Sequence, residues 1–353
     1  MFNRIYLQSF VLVYSKHRRY VSGDQVRSQV LMTANIRARS SPTDLNGVPG
    51  QRIFYCDHHE FPLPSGHKFP QRKYRLLRER LQDVLEVQPA PLADPRIIEL
   101  AHDAAYVQRF LEGTLDPAIV RRIGFPWSEG LVRRTLASVG GTLEATRQAL
   151  RHFWGGTLAG GTHHAFHAEG AGFCVFNDIA VATQWLRTQN IRRVTVLDLD
   201  VHQGDGTAEI FRGDPEVLTI SVHGRNNFPF RKRQSNIDVD LPDGTRDQEY
   251  LKVLDEILPR AFIHKPDVMF YQSGVDGLAA DRLGRLSLTL DGLAERDRRV
   301  FEAARRWGVP LVVTLGGGYS EPIETTVEAH ASTFLIAARL LGVAAPVRPL
   351  GYW

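Results

Sequence analysis

The sequence predicts an α/β domain, a single unit with a mostly parallel central sheet flanked by helices. Two observations carry the prediction: after Gly50 short apolar runs alternate with longer segments of helical period, and unusual polar residues gather just past the ends of those runs. Parallel strands covered on both faces read as near-continuous apolar stretches, and open α/β sheets bind ligands outside the carboxyl ends of their strands. No repeat of 20–50 residues interrupts the pattern, which excludes a solenoid.

The elements follow in order. A first strand is expected over residues 53–55, and helices over 72–85, 128–152 and 177–189 lead to a buried strand over 194–199. A second apolar run, 217–222, contains Ser221 and is followed at once by His223. A helix over 247–262 precedes the strand 268–273, a helix over 293–307 precedes the strand 311–315, and a last helix covers 322–341.

At 353 residues and 43% hydrophobic content the chain has ample material for a core. The formal charge of +4 belongs largely to residues 1–50, where seven basic side chains face only Asp24 and Asp44. That segment reads as a basic, poorly ordered extension ending in the turn-rich linker 40–50, with the main domain expected over 51–353. The remainder is nearly neutral, giving no electrostatic footprint for nucleic acid. The apolar stretch 5–14 is broken by Gln8 and Ser9, and no run approaches a membrane span. Cys56 and Cys174 stand alone, without a C-x-x-C partner, so a reducing, cytoplasmic setting is expected.

The chemistry centres on T-V-L-D-L-D-V-H-Q-G-D-G at 195–206, where Asp198, Asp200 and His202 alternate at the end of a buried strand. Two carboxylates and an imidazole are costly there unless compensated, and a cation compensates them. Taken alone, the triplet reads equally well as an acidic cluster capping a helix or forming ion pairs. Asp276, in S-G-V-D-G, supplies a third ligand, although by itself it reads as a turn residue. Two carboxylates and one imidazole suit zinc with a position left for water; iron(II) or cobalt(II) would be accommodated too.

Hydrolysis also needs a proton carrier, and His163-His164 in A-G-G-T-H-H-A are suited to it, with Asp198 and Asp205 available to fix the ring tautomers. Tyr319, after Gly316-Gly317-Gly318, can donate to an oxyanion. A surface histidine pair and a buried structural tyrosine are the plainer alternatives.

Together G-G-T-H-H-A, G-F-C-V-F-N-D-I-A, D-L-D-V-H-Q-G-D-G-T, the S-V-H strand end, S-G-V-D-G-L-A-A-D-R-L-G and L-G-G-G-Y resemble the histone deacetylase superfamily, in family order over residues 52–341. The H-Q pair and the segment C-D-H-H-E-F-P-L-P-S-G-H-K-F-P are similar to its class IV and bacterial branch. The resemblance implies the arginase/deacetylase-like fold and a zinc-dependent amidohydrolase that removes acyl groups from lysine side chains. It makes Asp200, His202 and Asp276 the zinc ligands, Tyr319 the carbonyl-polarising phenol, His164 the main acid-base and His163 its supporting partner. Asp198 would pair with His163 and Asp205 with His164.

A structural potassium ion is implied at Asp198, Ser221 and the carbonyls of Asp198, Asp200, His202 and Val222, with a weaker counterpart near Phe211, Asp214 and Val217. Gly172 and Phe173 would line the acyl tunnel, opposite Phe228 or else Phe230. Gln203 replaces a histidine that is no metal ligand in the family, and Cys174 reads as a packing residue.

The expected partner is an acylated protein or a small acylated amine. The rival substrate, an acetylpolyamine, calls for an acidic gate, for which Glu60 and Glu112 are the candidates. An arginase-like binuclear manganese site is disfavoured by D-x-D-x-H and the single carboxylate of V-D-G. A non-catalytic acyl-lysine reader would need none of the hydrolytic residues.

Overall fold

In the computed structural model, which describes residues 51–341, the described chain forms one eight-stranded sheet. The strands are β1 (Arg52–Tyr55), β2 (Glu86–Pro89), β3 (Trp154–Thr157), β4 (Val194–Asp198), β5 (Val217–Gly224), β6 (Ile237–Leu241), β7 (Val268–Gln272) and β8 (Leu311–Thr314). Their order across the sheet is β2-β1-β3-β8-β7-β4-β5-β6, and every pairing is parallel. The expected mostly parallel sheet flanked by helices is therefore observed. The extension expected over 1–50 and the end of the expected domain, 342–353, lie outside the described residues.

The strands alternate between two cores with the two-residue period of a pleated sheet. Val194 and Val196 of β4, Val268 and Phe270 of β7 and Val312 of β8 join one cluster with the helices Glu129–His152 and Asp178–Thr188. Leu197, Met269, Tyr271, Leu311 and Val313 point the other way, against the helices Arg72–Leu81, Asp247–Ile257, Leu290–Trp307 and Ile323–Leu341. Burial on both faces is why these strands read as unbroken apolar runs.

Boundaries moved where local chemistry intervened. The helix expected over 247–262 is two, Asp247–Ile257 and Arg260–Ile263, because Pro259 between them has no N–H to continue the ladder. The helix expected from residue 72 stops at Leu81. Ser128 caps the helix Glu129–His152 by accepting the Leu131 N–H at 3.1 Å.

The connectivity positions the chemistry. From β3 the chain jumps to β4, and only later do β7 and β8 fill the space between them. Four neighbouring strands, β3, β8, β7 and β4, thus end side by side, and the loops leaving them carry His163-His164, Tyr319, Asp276 and Asp200-His202 respectively. This is the sheet edge at which α/β folds bind ligands. Among the described residues no helix is long and apolar enough to cross a membrane.

Candidate active site

Two of the four loops, those after β4 and β7, build a buried trio. Asp200, His202 and Asp276 hold donor atoms within 4.8 Å of one another, and His202 Nδ1 lies 3.0 Å from both Asp200 Oδ1 and Asp276 Oδ2. Burial and the neighbouring Asp200 push Asp276 up to about 7. Burial opposes a charged His202, yet its bonds to the two carboxylates push it up to about 10. The trio thus demands positive charge, and its donors, one imidazole and two carboxylates, fit a divalent metal ion.

Backbone groups aim the carboxylates. Gly317 N–H donates to Asp200 Oδ2 at 2.6 Å and Val201 N–H to Asp276 Oδ1 at 2.9 Å. Such close approach explains the glycines of L-G-G-G-Y: a Cβ on Gly317 would sit 1.7 Å from Asp276 Oδ2.

The two histidine rings lie side by side, tilted by 49° with centroids 4.1 Å apart. His163 Nδ1 lies 2.6 Å from Asp198, and His164 Nδ1 lies 2.7 Å from Asp205. Burial works against a charged His163, but Asp198 outweighs it and pushes the ring up to about 9. Burial, aided by the charge at His163, pulls His164 down to about 4. Adjacent rings are thereby driven to opposite protonation states, the pattern that divides acid from base work. Their loop is held by fully buried Asp178, which accepts N–H bonds from Gly161 at 3.0 Å and Thr162 at 2.8 Å.

Above the trio opens a pocket of about 480 Å³ lined by His163, His164, Asp200, His202, Phe228 and Tyr319, with Gly172 and Phe173 in its wall. Gly172 has φ +55°, and a Cβ there would meet His164 at 2.7 Å and Phe228 at 3.2 Å. Phe228 stands edge-on to His164, centroids 4.9 Å apart, while Phe230, 86% exposed, lies further out. Burial pushes the Tyr319 phenol well above its ordinary range, keeping it a proton-bearing donor. Cys174 is buried, its thiol 3.4 Å from the Gly172 carbonyl, and burial raises it well above the reactive range.

Ser221 is paired in register with Asp198 across β5 and β4, and its Oγ lies 3.0 Å from His223 Nδ1; Val222 is buried beside it. Asp214 is engaged by Arg187 at 2.6 Å, near buried Phe211 and Val217. Glu60 and Glu112 do not line the pocket; Glu112 instead accepts from Gln108 at 2.6 Å.

Sequence reasoning missed three supports. Lys73, 2% exposed, donates to the carbonyls of Gly316 at 3.2 Å and Gly318 at 3.4 Å and lies 5.4 Å from the Tyr319 ring centroid. Asp281 accepts the Tyr319 N–H at 2.6 Å and those of Leu283 and Gly284 at 2.8 Å, joining the loops after β7 and β8. Asp178 is the third. The two aspartates had a signal in the sequence, since both stand in the quoted motifs; Lys73 had none.

A pocket over an Asp/His/Asp trio whose donors could hold a metal ion, with a paired-histidine wall, has the groups that a hydrolase site needs. Comparison with known proteins agrees. The family model described as the histone deacetylase domain matches residues 53–334. An uncharacterized protein of Picosynechococcus sp. is 42% identical over 291 residues, spanning 80% of this chain and 96% of that protein. A probable deacetylase of Archaeoglobus fulgidus is 32% identical over 292 residues, spanning 75% and 79% respectively. Among solved structures, an acetylpolyamine aminohydrolase from Burkholderia pseudomallei superposes with a TM-score of 0.67 at 22% identity, over 82% of this chain and 99% of that one, and so shares the fold. The chain belongs to the histone deacetylase family, and with it to the hydrolases that act on amide bonds.

Proposed function

We propose that this protein removes acyl groups from lysine side chains, with a zinc ion held by Asp200, His202 and Asp276. The observation that carries the reading is the histidine pair: each ring has Nδ1 engaged by its own carboxylate, at 2.6 Å and 2.7 Å, leaving each Nε2 for a proton in the pocket beside the trio. When bound, zinc supplies Lewis-acid polarisation of the amide carbonyl and acidifies water; iron(II) or cobalt(II) suits the same donors.

The chain's residues do the rest. His164 takes the proton of the attacking water, and its Nδ1–H stays on Asp205, which keeps the tautomer fixed. His163, charged through Asp198, stabilises the developing negative charge and supports return of a proton to the leaving amine. Tyr319 keeps its phenolic proton and donates a hydrogen bond through it to the carbonyl oxygen as that becomes an oxyanion. Gly172, Phe173 and Phe228 enclose the lysine methylenes and exclude water.

A potassium ion is proposed at Asp198, Ser221 and the carbonyls of Asp198, Asp200, His202 and Val222, an all-oxygen set suited to a hard cation. Acyl-lysine is favoured over acetylpolyamine because neither candidate acidic gate, Glu60 or Glu112, reaches the pocket.

The test is turnover of an acetyl-lysine peptide by metal-loaded His164→Ala and Tyr319→Phe, with metal content and thermal unfolding read alongside. Losses of about 10²–10⁴-fold for the first and about 10²–10³-fold for the second are expected with metal retained. Full activity in both refutes the mechanism.

A further inference from the structure

The pocket mouth continues into a second cleft of about 530 Å³, and the two share Lys68, Leu283 and Tyr319. A ligand can therefore set a side chain in the pocket and lay its main chain along the cleft.

The charges at this junction are one-sided. Lys68, Arg121, Arg122 and Arg285 line the pocket, whereas its single lining carboxylate, Asp200, is 1% exposed at the floor. Arg122 pairs with Glu169, and Arg285 lies 3.3 Å from Asp243. In the cleft, Arg72 is matched by Glu324 and Arg282 by Glu321, each at 3.4 Å. Lys68 and Arg121 are exposed and form no ion pair among the described residues. Two unmatched cations thus flank the entrance, one of them where pocket and cleft join.

Resting on the deacylase reading, we infer that this entrance selects acyl-lysines in acidic peptide segments, with flanking carboxylates placed against Lys68 and Arg121. An acetylated polyamine presents protonated amines to the same two cations and is repelled. Exposed pairs are individually weak and screened by salt, so the selection works through encounter and KM and fades as ionic strength rises.

The test uses the metal-loaded enzyme and three acetyl-lysine peptides of equal length, flanked by Asp/Glu, by Ser, or by Lys/Arg, with acetylspermidine as a fourth substrate. Within each enzyme the ratio of kcat/KM for acidic over basic peptide is read at low and high salt. The wild type should favour the acidic peptide by about fivefold or more at low salt, and less at high salt. The double variant Lys68→Glu/Arg121→Glu should invert the ratio. Anisotropy of the same peptides, fluorescently labelled, reads the charge preference independently of turnover. Equal binding and turnover of acidic and basic peptides, or acetylspermidine exceeding the acidic peptide, overturns the inference and leaves the deacylase reading standing. Preferential binding of the acidic peptide with no hydrolysis of any amide overturns the deacylase reading and upholds the charge selection.

Discussion

Gln203 and Arg233 exchange two hydrogen bonds: the Gln203 amide donates to the Arg233 carbonyl at 2.6 Å and accepts its N–H at 2.8 Å. The same nitrogen donates to Asp238 at 2.7 Å, and the side chain is 1% exposed. Gln203 follows His202 directly, and Arg233 closes the loop that carries Phe228. Lys232 fastens that loop from within, donating to the carbonyls of Asn227 at 2.5 Å and Pro229 at 2.7 Å. One buried amide therefore couples the segment of the metal trio to the far wall of the pocket.

Gln203→Ala should loosen that wall while sparing the trio. It leaves the Arg233 N–H and carbonyl and one Asp238 oxygen without their partner in a partly buried position, a cost of about 1–2 kcal/mol. The expected outcome is a lower unfolding midpoint, KM raised more than kcat is lowered, and unchanged metal content. An unaltered KM with reduced metal would place its role at the trio instead.

Gly317→Ala should disable the trio directly. The new Cβ would lie 1.7 Å from Asp276 Oδ2 and 2.5 Å from its Cγ, a fully buried carboxylate held by the Val201 N–H and His202. Relief requires moving Asp276 or the backbone that donates to Asp200, an overpacking cost of about 3 kcal/mol. Metal stoichiometry after dialysis against limiting zinc should fall together with activity. Full metal retention would contradict the crowding argument.

What the sequence revealed follows from where side chains lie. β4, β7 and β8 were legible because burial on both faces makes them uniformly apolar. β3 escaped because W-G-G-T offers two glycines in place of a pattern, and β2 and β6 because they are half-exposed sheet edges, E-V-Q-P and I-D-V-D-L. The helices Pro95–Ile98, Ala104–Glu112 and Pro117–Ile123 are short, yet each carries a legible aspartate cap, at Asp94, Asp103 and Asp116. The chemical groups stood out as polar residues just past apolar runs. Lys73 did not, since R-K-Y-R at the start of a basic helix reads as a solvated face, and its partners lie more than 240 positions away. Long-range closure is the part that local pattern does not carry.

Lys73→Met tests that closure. Burial pulls the Lys73 ammonium down to about 8, while Asp276 and Asp200 help to keep it charged. Methionine retains the volume but abandons two carbonyls of the glycine turn, at a cost of about 2–3 kcal/mol. Because that turn carries Tyr319, kcat should fall about tenfold or more with the fold intact. Thermal unfolding and single-turnover rates check both, and wild-type values in each would remove Lys73 from the site's support.

Acid stability has a marker remote from the trio. Buried His102 accepts the Asn177 N–H at Nε2, 2.9 Å away, and its Nδ1 lies 3.2 Å from the His167 carbonyl, so the neutral ring satisfies both neighbours. Burial pulls it down to about 4 from an ordinary value of 6.5. Below 6.5 the unfolded chain takes up a proton here that the folded chain refuses until about 4. The stability it contributes is thus whole above 6.5 and lost as pH falls through that window, about 3 kcal/mol in all. His102→Gln, which cannot titrate but can accept and donate in the same places, should abolish this component. Urea unfolding from pH 7 to pH 4 should show the wild type losing about 3 kcal/mol more than the variant over that range, most of it between pH 6 and 4. Parallel pH profiles for the two proteins would mean that the imidazole is protonated as readily in the fold as outside it.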